Sequence, residues 1–130
     1  MIPIGLGDSK ARLAVFNANR PPLQLYQNLD YCKAIERHEI KTIADLTGNH
    51  WRKIFNCYPK LAYELDPRTF QTWQELRDDY LLQKNSGYGL FFSPPEPNHK
   101  QIKIVSGKQY WDRLDLKISV QWIDAYFAVC

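Results

Sequence analysis

Ser106-Gly107-Lys108 is a part of this sequence in which an anion could be held. It closes an apolar run, Ile102–Ser106, and leads into Lys108–Leu114, whose spacing predicts a short helix. Amides at such a junction point outward and a lysine adds charge, which together would attract a phosphate or carboxylate. The stretch is not a P-loop. Ile102 stands five residues before Gly107, where the upstream glycine would be, and Gln109 replaces the Ser or Thr. A plain turn, with Gly107 for backbone shape and Lys108 in solvent, accounts for the same residues.

A second polar set, Asn17, Asn19 and Arg20, stands at the end of the apolar run Arg12–Ala18. Ligands of open α/β sheets favour the crevice outside the carboxyl ends of strands. If the Arg12–Ala18 run is a strand parallel to Ile102–Ser106, both polar sets leave the sheet at one edge. Asn17 and Asn19 could then donate or accept, and Arg20 could fork onto a phosphate or carboxylate. The competing reading places the asparagines on turn backbone and packs Arg20 over Pro21 or Pro22. Asn17, Asn19, Arg20, Ser106, Gly107 and Lys108 are the candidate ligand-binding set.

His99, in a proline-rich loop with Glu96, Asn98 and Lys100, is the candidate for acid–base work; a solvated loop histidine fits the same placement. His38 lies on a charged stretch with Glu36 and Glu39, where exposure is expected, and His50 falls in a first helical turn. His38-Glu39-Ile40-Lys41-Thr42 lacks the second histidine of a zinc-binding HExxH. Cys32, Cys57 and Cys130 are dispersed, so no metal site and no cofactor is expected. No G-x-S-x-G surrounds any serine. Asp78, Asp79, Asp112 and Asp115 read as solvated or helix-bounding carboxylates. Asp124 sits among apolar neighbours and calls for an ion-pair partner. An enzyme whose site is assembled from distant residues would leave no such signature, so the sequence does not decide whether this is an enzyme.

The elements that must position these residues follow from periodicity. Ile2, Ile4 and Leu6 alternate as in a strand, but Pro3, Gly5 and Gly7 weaken it towards an edge strand or an arm. Arg12–Ala18 reads as a strand covered on both faces. Leu23 to Arg37 looks helical, with Leu25, Leu29, Cys32 and Ile35 on one stripe. Ile40, Ile43 and Leu46 share a side of a short segment. Asn49–Leu65 has the clearest helical period, and Pro59 inside it predicts a kink or break near Asn56. Asp66 and Pro67 are expected to open the next helix, with Phe70, Trp73, Arg77 and Tyr80 facing inward.

Leu90–Ser93 and Ile102–Ser106 read as buried strands. Their connecting loop is too short for the usual crossover between adjacent parallel strands, so they are antiparallel or are not direct neighbours. In the tail, Ile118, Val120 and Trp122 share one face and Ile123, Ala125, Phe127 and Val129 the other. The slip of phase between Trp122 and Ile123 predicts a bulge or bend between two strands.

The totals agree. A chain of 130 residues is one domain, residues 1–130, with 45% hydrophobic and 24% charged residues. Three cysteines without CxxC suit reduced thiols, and no signal or membrane-spanning stretch is evident, so a cytoplasmic location is expected. Net charge is +3, which permits an anionic partner. Two stretches without acids carry Arg52, Lys53, Lys60, Lys100, Lys103 and Lys108, interleaved with Trp51, Tyr58, Tyr110 and Trp111. That pattern suits a nucleic acid or, more simply, a basic surface over an aromatic core.

The expectation is therefore an α/β domain with a mixed sheet of four or five strands and helices on one or both faces. Its function is read as binding an anionic ligand, a nucleotide or nucleic acid, at strand carboxyl ends. The alternative is a non-catalytic protein-interaction module, using the Pro94–Lys100 loop and exposed aromatics and able to self-associate as a homo-oligomer.

Overall fold

A computed structural model of the chain describes residues 2–65, 70–96, 100–114, 121–122 and 127–129; at Lys108, Trp111, Leu114 and in the last two strands the description is of the backbone. In chain order the elements are β1 (Gly5–Gly7), β2 (Leu13–Asn17), α1 (Gln24–Gln27), β3 (Cys32–Lys33), α2 (Glu39–Thr47), α3 (Asn49–Leu65), α4 (Trp73–Asp79), β4 (Tyr88–Phe91), β5 (Ile102–Ser106), α5 (Lys108–Leu114), β6 (Gln121–Trp122) and β7 (Phe127–Val129). The described strands form one mixed sheet in the order β3-β1-β4-β2-β5-β7-β6. Five of the seven have three residues or more, which matches the expected count.

An unbroken apolar strand needs cover on both faces, and β2 has it: all five of its residues are buried. It lies between β4 and β5 and runs parallel to both. The short connection from β4 to β5 is thereby explained. The two strands are parallel but not adjacent, and the chain steps over β2 between them. Strand alternation then sorts the side chains. Leu13 and Val15 of β2, Tyr88 and Leu90 of β4, Leu6 of β1 and Ile104 of β5 face a large core with Ile40 and Ile43 of α2, Trp51, Ile54, Phe55, Tyr58 and Ala62 of α3, and Leu76 of α4. Ala14 and Phe16 of β2 and Phe91 of β4 face the other way, in a small cluster with Ala11, against which Tyr110 of α5 packs. Helices thus cover both faces. Gly89 belongs to this arrangement, because a Cβ there would run into the Phe91 ring.

α3 carries the strongest period and is continuous through the buried Pro59. Of the kink or break expected near Asn56, the break does not occur: the helix runs from Asn49 to Leu65. One lost backbone bond is outweighed by six buried residues on a helix whose apolar face spans the sheet. The phase slip in the tail corresponds to two strands, β6 and β7, which pair antiparallel.

Four expectations are corrected. The N-terminal strand is internal, between β3 and β4, and not at an edge. Leu23–Arg37 is not one helix: α1 has four residues, Leu25 is 56% exposed, and Cys32 pairs with Gly5 in parallel register. Of the apolar residues at helical spacing there, Leu29 and Ile35 are buried, and they stand in the segments that follow α1 and β3. Leu46, placed with Ile40 and Ile43, is 65% exposed; Ala44 is buried instead. The helix expected to open at Asp66 starts at Trp73. Thr72 is its N-cap, accepting from the Glu75 amide, and Phe70 and Leu76 are buried while Tyr80 is exposed. Asp66 and Pro67 lie outside the described residues, as do Asp115 and Asp124.

Candidate functional site at the carboxyl edge of the central strands

Because β4, β2 and β5 are parallel, their carboxyl ends meet at one edge of the sheet. The condition set by the two polar sequences is therefore fulfilled: Asn17 and Ser106 are direct partners in the β2–β5 register. By alternation Asn17 continues the Leu13–Val15 side of β2, the side of the large core. Phe92, just beyond β4, belongs to the same core. The three strands thus end on this face in Phe92, Asn17 and Ser106.

Asn17 is 5% exposed, and its Nδ2 is buried without a hydrogen-bond partner. Such a group costs about 1–3 kcal/mol to bury, and native interiors contain few of them. Asp79 Oδ1 is buried without an aligned hydrogen bond too, but it lies 3.0 Å from Arg37 Nη2 and its charge is paired. Asn17 has no comparable compensation among the described residues.

Gly107 follows Ser106 with φ of +94°, a conformation that favours glycine. Nothing lies within 4 Å of the place a Cβ would occupy, so the turn is open. Lys108 begins α5. Asn19 is exposed in the loop after β2.

Arg20 has a different employment. Its Nη1 donates to the carbonyl oxygens of Tyr26, Gln27 and Leu29, at 3.1, 3.0 and 2.7 Å. Its guanidinium lies over the Phe92 ring, 5.5 Å from the centroid. Gln27 Nε2 returns a bond to the Pro21 carbonyl at 3.2 Å. This clasp ends α1 and fixes the loop that leaves β2. The ring under Arg20 is thus the aromatic Phe92.

A second polar cluster lies after that loop. The Tyr26 hydroxyl donates to Glu39 Oε2 at 2.7 Å, Lys33 Nζ lies 3.0 Å from Oε1, and the Glu36 amide donates to Oε1 at 3.0 Å. Burial pushes the Glu39 carboxyl up, but the Glu36 amide, the Tyr26 hydroxyl and the Lys33 ammonium together hold it below its usual range. Burial and the adjacent carboxylate raise the Tyr26 hydroxyl. Every polar partner in this cluster is accounted for, so it reads as an internal brace. Cys32 is pushed up to about 11 by burial and then by Asp8, which keeps its thiol protonated near neutrality and a poor nucleophile.

Of the remaining candidates, His99 and Asn98 lie outside the described residues, as does Pro97 beside them. His38 is exposed, as expected, with φ of 71°. His50 is exposed beside Trp51. Among the described residues no group of His, Cys, Asp or Glu could hold a metal ion, and no helix is long and apolar enough to cross a membrane. Trp51 and Tyr58, interleaved with the basic residues of α3, are 3% and 1% exposed and offer no ring to a stacked base. The orphaned Asn17 amide is what sequence reasoning missed. Its position in a polar set was legible, but burial depends on strands far away in the chain.

No curated protein matches the chain, and no solved structure does. Residues 4–130 match the model of a family of unknown function, DUF6942, and the chain belongs to that family.

Proposed function

We propose that this protein binds a small anionic ligand of the nucleotide class at the carboxyl ends of β2 and β5. The observation that carries the reading is the buried Asn17 Nδ2, a hydrogen-bond donor without a partner at the edge where α/β sheets favour ligands. Ser106 stands beside it, and the open Gly107 turn with Lys108 supplies room and positive charge. Arg20 holds the neighbouring loop in place through its clasp on α1.

Burial favours a small molecule over a nucleic-acid strand. Phosphate contacts to a strand come from exposed basic residues and carry strong salt dependence, whereas a donor at 5% exposure is reached by a ligand group that enters the protein. Wholly protein–protein recognition would draw on exposed rings and would leave Asn17 unpartnered.

The test is amide NMR of the Asn17 side chain during titration with nucleotides, alongside Asn17→Leu. The apolar variant removes the orphaned donor at similar volume. It is expected to hold or gain stability, by about 1 kcal/mol, while losing the ligand response. Loss of stability in Asn17→Leu, with no nucleotide moving the wild-type Asn17 resonances, would reject the reading.

A further inference from the structure

We infer that the open edge of β3 is an interface at which two copies of this chain pair their sheets antiparallel, with the two-fold axis at Cys32. The inference stands apart from the ligand reading, because β3 ends the sheet with β1 and β4 between it and β2.

Among the described residues nothing pairs with the outer side of β3. Parallel pairing decides which of its backbone groups face outward. The Gly5 amide donates to the Tyr31 carbonyl, and Gly5 stands opposite Cys32. In a parallel ladder the residue opposite such a donor turns its own amide and carbonyl to the other side. Cys32 therefore offers one donor and one acceptor outward. That set complements itself when a second copy is rotated by half a turn, since two facing residues of an antiparallel pair can exchange both bonds.

The side chains leave the edge clear. Edge strands are often guarded by a lysine. Here the Lys33 side chain is only 20% exposed, drawn back onto α2 with its ammonium 3.0 Å from Glu39 Oε1. The Cys32 thiol donates to the Gly7 carbonyl at 3.4 Å and packs against the small cluster on one face of the sheet. A two-fold axis sets the residue lying on it against its own copy, and that residue is an uncharged cysteine. Tyr31 then faces Lys33 of the second copy, so no like charges meet. Tyr31 and, in α1 before it, Leu25 are exposed and add apolar area beside the strand.

The shortness of β3 selects the occupant. Only Cys32 and Lys33 pair with β1. A peptide ordering itself on so short an edge would lose more backbone entropy than a pair of bonds returns. A second copy brings the same strand already folded, together with its own Tyr31 and Leu25.

Sedimentation equilibrium and amide hydrogen exchange, from micromolar to millimolar protein, test this. A dimer is expected at the upper end, with exchange of the Cys32 amide slowed about tenfold from its rate in the monomer. Tyr31→Lys sets a lysine against Lys33 of the second copy, twice in each dimer, and is expected to weaken dimerisation about tenfold. Because Tyr31 is exposed, the melting temperature of the monomer should not change. Cys32→Pro removes the outward donor and leaves the bonds of Gly5 in place; it is expected to stay monomeric, with circular dichroism showing that it folds. The inference falls if the wild-type protein is monomeric at millimolar concentration. It falls equally if the protein associates while the Cys32 amide exchanges as fast as in the monomer, which would put the contact elsewhere.

Discussion

The two ends of β2 treat buried polarity in opposite ways. At the amino end the Tyr58 hydroxyl, wholly buried on α3, lies 2.9 Å from the carbonyl oxygens of both Leu13 and Gly89. It ties the helix to two neighbouring strands, and burial raises the hydroxyl well above its usual range, keeping the proton on the donor. At the carboxyl end Asn17 is nearly as deep and has no partner for its Nδ2. One strand thus meets at one end a buried donor, brought by α3, that the fold satisfies, and carries at the other a buried donor that the fold leaves over. The difference separates what builds the protein from what is available to a ligand. A buried donor used internally stabilises; one left unused costs stability and needs another reason to be there.

Substitutions at the two ends should therefore have opposite signs. The largest effect is expected for Tyr58→Phe, which strips a donor from two buried carbonyls. It should destabilise by about 2 kcal/mol, read as a lower urea midpoint at unchanged m-value. Stability equal to the wild type would show that the amino end does not depend on that hydroxyl and would remove the contrast with Asn17→Leu.

Arg20→Ala comes next. Three carbonyls lose a charged donor, and a loss of about 1.5 kcal/mol is expected, with faster amide exchange confined to residues 18–29. Ligand affinity of the folded fraction should change less than in Asn17→Leu. A collapse of affinity at unchanged stability would instead return Arg20 to direct ligand contact.

The smallest effect concerns pH. The folded Glu39 carboxyl is held below its unfolded value. Its contribution is therefore fully present above the unfolded value of about 4.3 and is lost as pH falls through the lower, folded one. Glu39→Gln should lower the melting temperature near neutrality and flatten its fall in acid, measured by scanning calorimetry from pH 7 to pH 3. Because this brace is remote from the strand ends in function, nucleotide binding by Glu39→Gln at pH 7 should match the wild type.

Much of the fold was legible in the sequence because local patterns suffice where burial is continuous or strongly periodic. Arg12–Ala18 could be read as a strand covered on both faces because Leu13 to Phe16 are apolar without a break, and β2 (Leu13–Asn17) lies within those bounds. Asn49–Leu65 could be read as a helix through seventeen residues of period. Ile102–Ser106 and Lys108–Leu114 have the bounds the spacing predicted. Leu23–Arg37 misled because Leu29 and Ile35, which follow a four-residue helix and a two-residue strand, are buried at intervals a helix would also use. What ends α1 is a guanidinium from outside it, which periodicity does not register.

By itself the sequence determined the class of the fold, the two polar turns that follow its apolar strands, and the absence from those turns of a standard phosphate motif. Tertiary structure alone decided that the turns share an edge, since strand order and direction are set by pairing between residues about ninety positions apart. It also decided the different fates of Arg20 and Asn17. One ends β2 and the other follows it, but hydrogen bonding is a matter of what stands within about three ångströms, and the fold brings carbonyls to the arginine and, among the described residues, nothing to the asparagine amide.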